Sequence, residues 1–140
     1  MSSVSTGLTL RLVLGGDAEI LVPATLVYES LHAFAVSAVF HTSEGDVTWV
    51  FGRDLLEDGL RGPVGQGDVA VWPSHRQGRQ LVCISLASPS GSALLEAETR
   101  DVAAFLDASF TVVPMGTEMD VMDLDAELAA LLGDGRSTHL

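Results

Sequence analysis

The sequence predicts an α+β domain: a twisted, mainly antiparallel β-sheet followed by helices gathered at the C-terminal end. Three observations predict it. Apolar residues recur with period two through most of the first hundred positions. Clusters of Gly, Pro, Ser and Asp cut that pattern into short segments. A period of three to four residues appears only around 53–60 and again after Thr99. The reading is six to seven short strands, one short middle helix and two C-terminal helices.

Leu8, Leu10, Leu12 and Leu14 alternate with Thr9, Arg11 and Val13, the mark of a half-buried strand. Gly15-Gly16-Asp17 turns the chain. Ile20-Leu21-Val22 resumes extended structure and Thr25 to Tyr28 continues it. Pro23 cannot donate to a ladder, so it is expected at an edge or bulge. Phe34, Val36, Ala38 and Phe40 repeat the alternation. After the Ser43-Glu44-Gly45-Asp46 loop, Val47, Trp49 and Phe51 do so again, making the clearest hairpin. Trp49, Phe51 and Trp72 are expected on a core or oligomer face.

Arg53 to Leu60 is read as a short helix, with Asp54 and Glu57 at capping-box spacing. Gly62-Pro63 and Gly65-Gln66-Gly67 form a glycine-rich loop. Val69 to Trp72 is a strand that Pro73 is expected to end, and Ser74 to Gln80 a turn. Leu81 to Ala87 is apolar enough for burial on both faces. Ser88-Pro89-Ser90-Gly91 turns into a strand around Ala93-Leu94-Leu95. Val102, Phe105 and Leu106 then mark a helix with Thr99 as its cap. Pro114-Met115-Gly116-Thr117 reads as a tight turn and is assigned to type I from its Pro and Gly. A last helix is placed from about Asp123, with Leu124, Leu128, Leu131 and Leu132 on one stripe and Gly133 as its stop. One domain spans 1–140, ordered from about 7 to 133.

Composition narrows function. The 140 residues carry a net charge of -12, from 19 acidic residues against seven basic ones, all Arg. Ten acidic residues lie from Glu96 onward and only Arg100 and Arg136 oppose them, so this third carries -8. A phosphate-backbone ligand or an anionic membrane is therefore disfavoured, and a basic protein partner fits. Asp120, Asp123 and Asp125 could meet that partner, beside a turn that Gly116 shapes. The single cysteine, Cys83, suits a reducing cytosol and reads as a buried structural thiol. No basic region followed by an apolar stretch marks a signal peptide.

Chemistry is not indicated. The glycine loop has no Lys for a phosphate loop and is followed by a strand, not a helix. His32, His41, His75 and His139 are not spaced to share a metal with each other or with Cys83. The acids near Asp123 fail the calcium-loop pattern, since its sixth position would be Leu128 where Gly is needed. Neither a nucleophile elbow nor a Ser-His-Asp set is evident. No catalytic residue, cofactor or metal is expected.

The order of Tyr28, Phe40-His41, Trp49-Val50-Phe51, Arg53-Asp54-Leu55-Leu56, Gly59-Leu60, Gly67-Asp68-Val69, Val71-Trp72-Pro73, Phe105-Leu106, Val113-Pro114, Gly116-Thr117-Glu118 and Asp123-Leu124-Asp125 resembles the SsgA-like proteins of sporulating actinobacteria. The likeness runs from about Leu8 to Leu132 and leans to the SsgB branch over the SsgA branch. It implies a barrel-like, Whirly-like sheet body assembled as a trimer. It also implies a non-enzymatic cytoplasmic regulator at the division septum, with FtsZ or another SsgA-like protein as partner. Two alternatives are a paralogue working with peptidoglycan or spore-wall maturation partners and, against the charge, a single-stranded nucleic-acid binder. For the last, only Arg61, Arg76 and Arg79 approach a basic cluster.

Overall fold

Period-two patterning produces an eight-stranded antiparallel sheet in the computed structural model, which describes residues 2–15 and 18–131; within the last helix the side chains of 123–127 and 129 are outside the description. The elements in order are β1 (Ser3–Val13), β2 (Glu19–Glu29), a 3-10 turn (Ser30–His32), β3 (Ala35–Thr42), β4 (Gly45–Gly52), α1 (Arg53–Gly59), β5 (Val64–Gln66), β6 (Val69–Arg76), β7 (Arg79–Ser88), β8 (Gly91–Glu98), α2 (Thr99–Val112) and α3 (Glu118–Leu131). The strands lie in the order β4-β3-β2-β1-β8-β7-β6-β5. Two meanders, β1–β4 and β5–β8, are therefore joined where β1 meets β8, at Arg11↔Glu96 and Leu12↔Leu95.

The sheet curls into a half-barrel. Its concave face carries the alternating apolar set: Leu10 on β1, Leu26 and Tyr28 on β2, Val36 and Phe40 on β3, Val71 on β6, and Ile84 and Leu86 on β7. Helices fill one end of that concavity. Leu55 and Leu56 of α1 and Val102, Phe105 and Leu106 of α2 join the same buried cluster. Each such side chain stabilises by roughly 1.5–3 kcal/mol through removal from water. β7 is buried on both faces from Leu81 to Ile84, as expected. On the convex face, Cys83 lies opposite Trp72 and Glu96. Burial and then the Glu96 charge push its thiol pKa up, which keeps it protonated.

Several local expectations are corrected. The glycine loop contains a strand, β5, that pairs with β6 at Val64↔Val71, so the strands number eight. Pro23 sits inside β2, an interior strand, and Pro73 inside β6. Each stands where one neighbouring ladder has stopped. The β2–β3 ladder covers only Ala24–Val27, and the β5–β6 ladder only Val69–Val71. A missing N–H therefore breaks no pairing on that side. Phe34 is exposed, because it precedes β3 and its alternation. The caps also differ: α1 begins after extended Gly52 and α2 after Glu98, and neither has a side-chain cap. The 74–80 turn contracts to Gln77-Gly78, both with positive φ, which lets β6 continue to Arg76.

α1 crosses the sheet at Gly59. A Cβ there would lie 2.2 Å from Val71 Cγ1 and 2.6 Å from Val71 Cβ, so the close approach of helix to strand requires glycine. Gly59→Ala is expected to destabilise the domain by about 1–3 kcal/mol, the usual cost of overpacking. Combining it with Val71→Ala should give a total loss smaller than the sum of the two single losses. Urea unfolding of the three variants checks this, and simple additivity would refute the contact.

Candidate protein-interaction site

The best-defined polar structure in the molecule is a buried arginine that ties all three helices to the sheet. Arg53 opens α1 directly after β4, and its backbone N–H donates to Phe34 O at 2.7 Å. Its side chain turns inward and is fully buried. Nη1 donates to Ser109 O at 3.2 Å and Val113 O at 2.8 Å, the carbonyls at the end of α2. Nη2 donates to Glu118 Oε2 at 2.7 Å, in the first turn of α3. The guanidinium lies 4.6 Å from the Tyr28 ring centroid and 4.4 Å from that of Phe110. Arginine stays charged at any accessible pH. Its burial is viable only because carboxylate, carbonyls and two aromatic faces surround it.

Glu118 passes that constraint to the turn before α3. Its second oxygen, Oε1, accepts the Gly116 N–H at 2.9 Å. Thr117 N–H donates to Pro114 O at 3.1 Å, closing a turn whose third residue is Gly116 at φ +88°. The turn falls on the expected residues, Pro114 to Thr117, but it is not the expected type I. Glycine meets the positive φ that a type II turn demands in third place. α3 consequently starts at Glu118, five residues before the expected Asp123.

That anchor also decides which way α3 faces. Val121 and Met122 pack on the core, whereas Met119, Asp120, Leu128 and Leu131 are exposed. Of the expected leucine stripe, the two described side chains do not dock: Leu128 is half exposed and Leu131 is 78% exposed. Asp123, Asp125 and Leu124 fall on α3, but their side chains lie outside the described residues, as does Leu132. Gly116 and Asp120 are exposed at the start of the helix. Of the aromatic trio, Phe51 is buried in the core, Trp49 is half-buried against it, and Trp72 is half-buried on the convex face. The structure thus brings Gly116 and Asp120 together and leaves the three aromatics elsewhere.

The arginines on the convex face are engaged with carboxylates. Arg76 donates to Glu96 at 2.6 Å and lies 3.5 Å from Glu19. Arg11 lies 3.7 Å from Glu96 and 3.9 Å from Glu98, and Arg79 pairs with Glu98. Arg61 is held apart from them by Glu57 and Asp58. The three arginines that came nearest to a basic cluster are therefore neutralised. A hydrogen-bonded chain also crosses that face, which the sequence did not signal. His41 Nδ1 lies 2.9 Å from Asp46, and Nε2 lies 2.9 Å from the Thr25 hydroxyl. His41 and Asp46 are directly paired across β3 and β4, and the set is exposed on open sheet, so it serves as a cross-strand tie. Among the described residues, no group of three His, Cys, Asp or Glu could hold a metal ion. No described helix is long and apolar enough to cross a membrane.

Comparison with known proteins decides the family. A profile described as "Streptomyces sporulation and cell division protein, SsgA" matches residues 22–118. The chain belongs to the SsgA family. The sporulation-specific cell division protein SsgB of Frankia casuarinae is 48% identical over 134 residues, 95% of this chain and 94% of its own length. A solved structure from work on SsgB mutations and longitudinal cell division during sporulation of Streptomyces coelicolor superposes with a TM-score of 0.83. It is 49% identical and the match covers 86% of this chain and 95% of that one. The crystal structure of an SsgA-like sporulation-specific cell division protein from Thermobifida fusca gives a TM-score of 0.86 at 34% identity, covering 93% and 96%. The likeness to the SsgB branch therefore holds, and the role of this SsgA-family chain is in sporulation-specific cell division.

Removing one partner of the buried pair leaves the other charge uncompensated. Glu118→Ala is expected to cost about 3–5 kcal/mol, and Glu118→Gln less, because the amide oxygen still accepts from Arg53. Urea unfolding of both variants checks the order, and equal small losses would refute the anchor.

pH gives a second readout. Burial pushes the Glu118 carboxyl up, but the Arg53 hydrogen bond, the Glu118 and Gly116 backbone N–H groups and the Arg53 charge outweigh it, and the net direction is down. A carboxyl whose folded pKa is depressed contributes stability in full above its unfolded value and loses it as pH falls through the folded value. Tyr28 moves the other way: burial dominates and raises its pKa, so its contribution is full below the ordinary tyrosine value and lost at higher pH. Stability is expected to decline below about pH 5 more steeply in the native chain than in Glu118→Gln. Melting temperatures across the acid range check this.

Proposed function

We propose that this SsgA-family chain controls septum formation by binding other proteins, and that it catalyses nothing. The observation that carries this reading is the staging of α3. A buried charge pair fixes the first turn of an acidic helix and leaves Asp120 and the Gly116 turn outward. Asp123 and Asp125 extend the same acidic segment in sequence. Gly116, Asp120, Asp123 and Asp125 form the contact region for a basic surface on a division or septum-associated protein, FtsZ or another SsgA-like protein. Carboxylates at a helix N-terminus also complement its dipole, so the segment costs the fold little.

The chain works as a homo-oligomer, a trimer, in the cytoplasm at the division septum. Trp72, half-buried on the convex face, is the aromatic available to such an interface. Single-stranded nucleic acid is disfavoured as a ligand because Arg61, Arg76 and Arg79 already contact carboxylates.

A fluorescent fusion in sporulating hyphae should form septal ladders beside FtsZ, and diffuse signal throughout would sink the proposal. Changing Asp120, Asp123 and Asp125 together to Asn should abolish the ladders. Asp120→Asn alone, at an exposed site, should leave stability within about 0.5 kcal/mol.

A further inference from the structure

We infer that β4 and the uncovered end of the half-barrel together receive an extended segment of a partner protein. That segment alternates apolar and polar side chains and carries basic residues at one end. The inference rests on the reading of the chain as a protein-binding module and names a surface distinct from the α3 corner.

β4 pairs with β3 along its whole length, from Thr42↔Gly45 to Ala35↔Gly52. Among the described residues, nothing pairs with its other side. Its outward N–H and C=O groups are thus available for a further strand. Edge strands are commonly blunted by Lys, Pro or a bulge, and β4 has none of these. Instead it presents Val47 at 47% exposure and Val50 at 61%.

The concave face beside this edge is also unfinished. The helices cover one end of the sheet, but the apolar alternation continues past them. Leu12, Val22, Phe40, Val47, Leu86 and Leu95 line a shallow cavity of about 170 Å³ at the hairpin end. Next to it, Trp49 faces Ser90 and Ala93 of the β7–β8 hairpin across a second hollow of about 290 Å³. Leu86 and Ala93 line both, so the two hollows form one groove along β4. Leu14 and Ile20, half exposed, stand at the same end of the sheet, where β1 turns into β2.

An extended segment satisfies both features at once. Its backbone completes the ladder on β4, and every second side chain enters the groove. A helix could fill the groove but would leave the edge amides unpaired. Charge selects the partner. The β3–β4 turn carries Glu44 and Asp46, both exposed, on a chain of net charge -12. A second copy brings the same charges to the contact, whereas a segment with basic residues at that end is attracted.

The test is a titration of the isotope-labelled full chain with the peptide acetyl-Lys-Lys-Val-Thr-Val-Thr-Val-amide, followed by amide chemical shifts and hydrogen exchange. Shifts and slowed exchange confined to 46–52 and to the groove residues are expected. The same peptide with alternate amides methylated keeps its side chains and loses ladder donors, and should bind at least about tenfold more weakly. Val47→Asp, at a half-exposed site, should weaken binding similarly without altering the melting temperature. No shift at millimolar peptide, shifts elsewhere, or indifference to methylation overturns the inference. So does protection of the β4 amides in the free chain that disappears on dilution, which would assign the edge to a second copy. A Val47→Asp chain that still forms septal ladders would also overturn it, yet leave the α3 reading standing.

Discussion

A guanidinium that cannot lose its charge is buried at the point where three helices meet the sheet. Everything around Arg53 follows from that. The charge needs a carboxylate, and Glu118 supplies it at 2.7 Å. Nη1 needs acceptors, and the end of α2 supplies them: Val113 O, just past the helix, and Ser109 O, which also accepts the Val113 N–H. The faces of the cation are covered by Tyr28 and Phe110. These groups come from β2, α2 and α3, so one side chain sets the mutual position of elements far apart in sequence. Tyr28 is held in turn by its own hydroxyl, which donates to Ala33 O at 2.8 Å. A buried pair of this kind adds little net stability compared with an apolar filling, but it tolerates only one arrangement. Its effect is to fix where α3 begins and which residues that helix turns outward.

The two faces of the sheet use the same alternation differently. On the concave face, apolar residues make a core wherever helices reach and an open groove wherever they do not. On the convex face, Arg11, Arg76 and Arg79 are interleaved with Glu19, Glu96 and Glu98. Arg76 and Arg79 are exposed and their pairs contribute little to stability, whereas Arg11 is largely covered with Glu96 and Glu98. The larger consequence of these pairs is electrostatic: they occupy cations that would otherwise oppose the acidic excess. Asp54, Asp68, Asp107 and Asp120 remain exposed elsewhere, so the field outside the molecule is set by carboxylates.

Much of the fold was legible because period two is a strong signal. The strands around Leu10, Phe40, Phe51 and Ile84, the short α1 and the burial of Val102, Phe105 and Leu106 all follow from spacing alone. The failures have physical causes. Pro23 was expected at an edge or bulge and Pro73 at a strand end because the lengths of neighbouring ladders cannot be read from one segment. β5 hid between glycines because three residues carry too little pattern. The start of α3 was misplaced because Asp123 resembles a cap, while the true determinant, Arg53, is 65 residues from Glu118. The signal that could have found the pair is a lone arginine between Phe51 and Leu55-Leu56, at a position whose phase points inward. Sequence reasoning placed it only at the start of the short helix, because a charged residue is almost never fully buried unless paired and no local residue marks its partner. The acidic C-terminal region was legible from composition, but which of its residues is structural and which is free was not.

That division matters for how a strongly acidic module can be selective. Net charge accelerates encounters with any basic surface and distinguishes poorly among them. Selectivity needs fixed geometry, and the chain has it in two places of different character. At α3 the geometry comes from a buried salt bridge that holds Glu118 inside while Asp120 stands outside. At β4 it comes from backbone groups, whose spacing admits an extended chain and little else. Among the described residues Glu118 is the most deeply buried acid, and in the proposed reading the presentation of Asp120 depends on it. In the proposed reading, acidity brings partners near, and the buried arginine and the open strand edge determine what can stay.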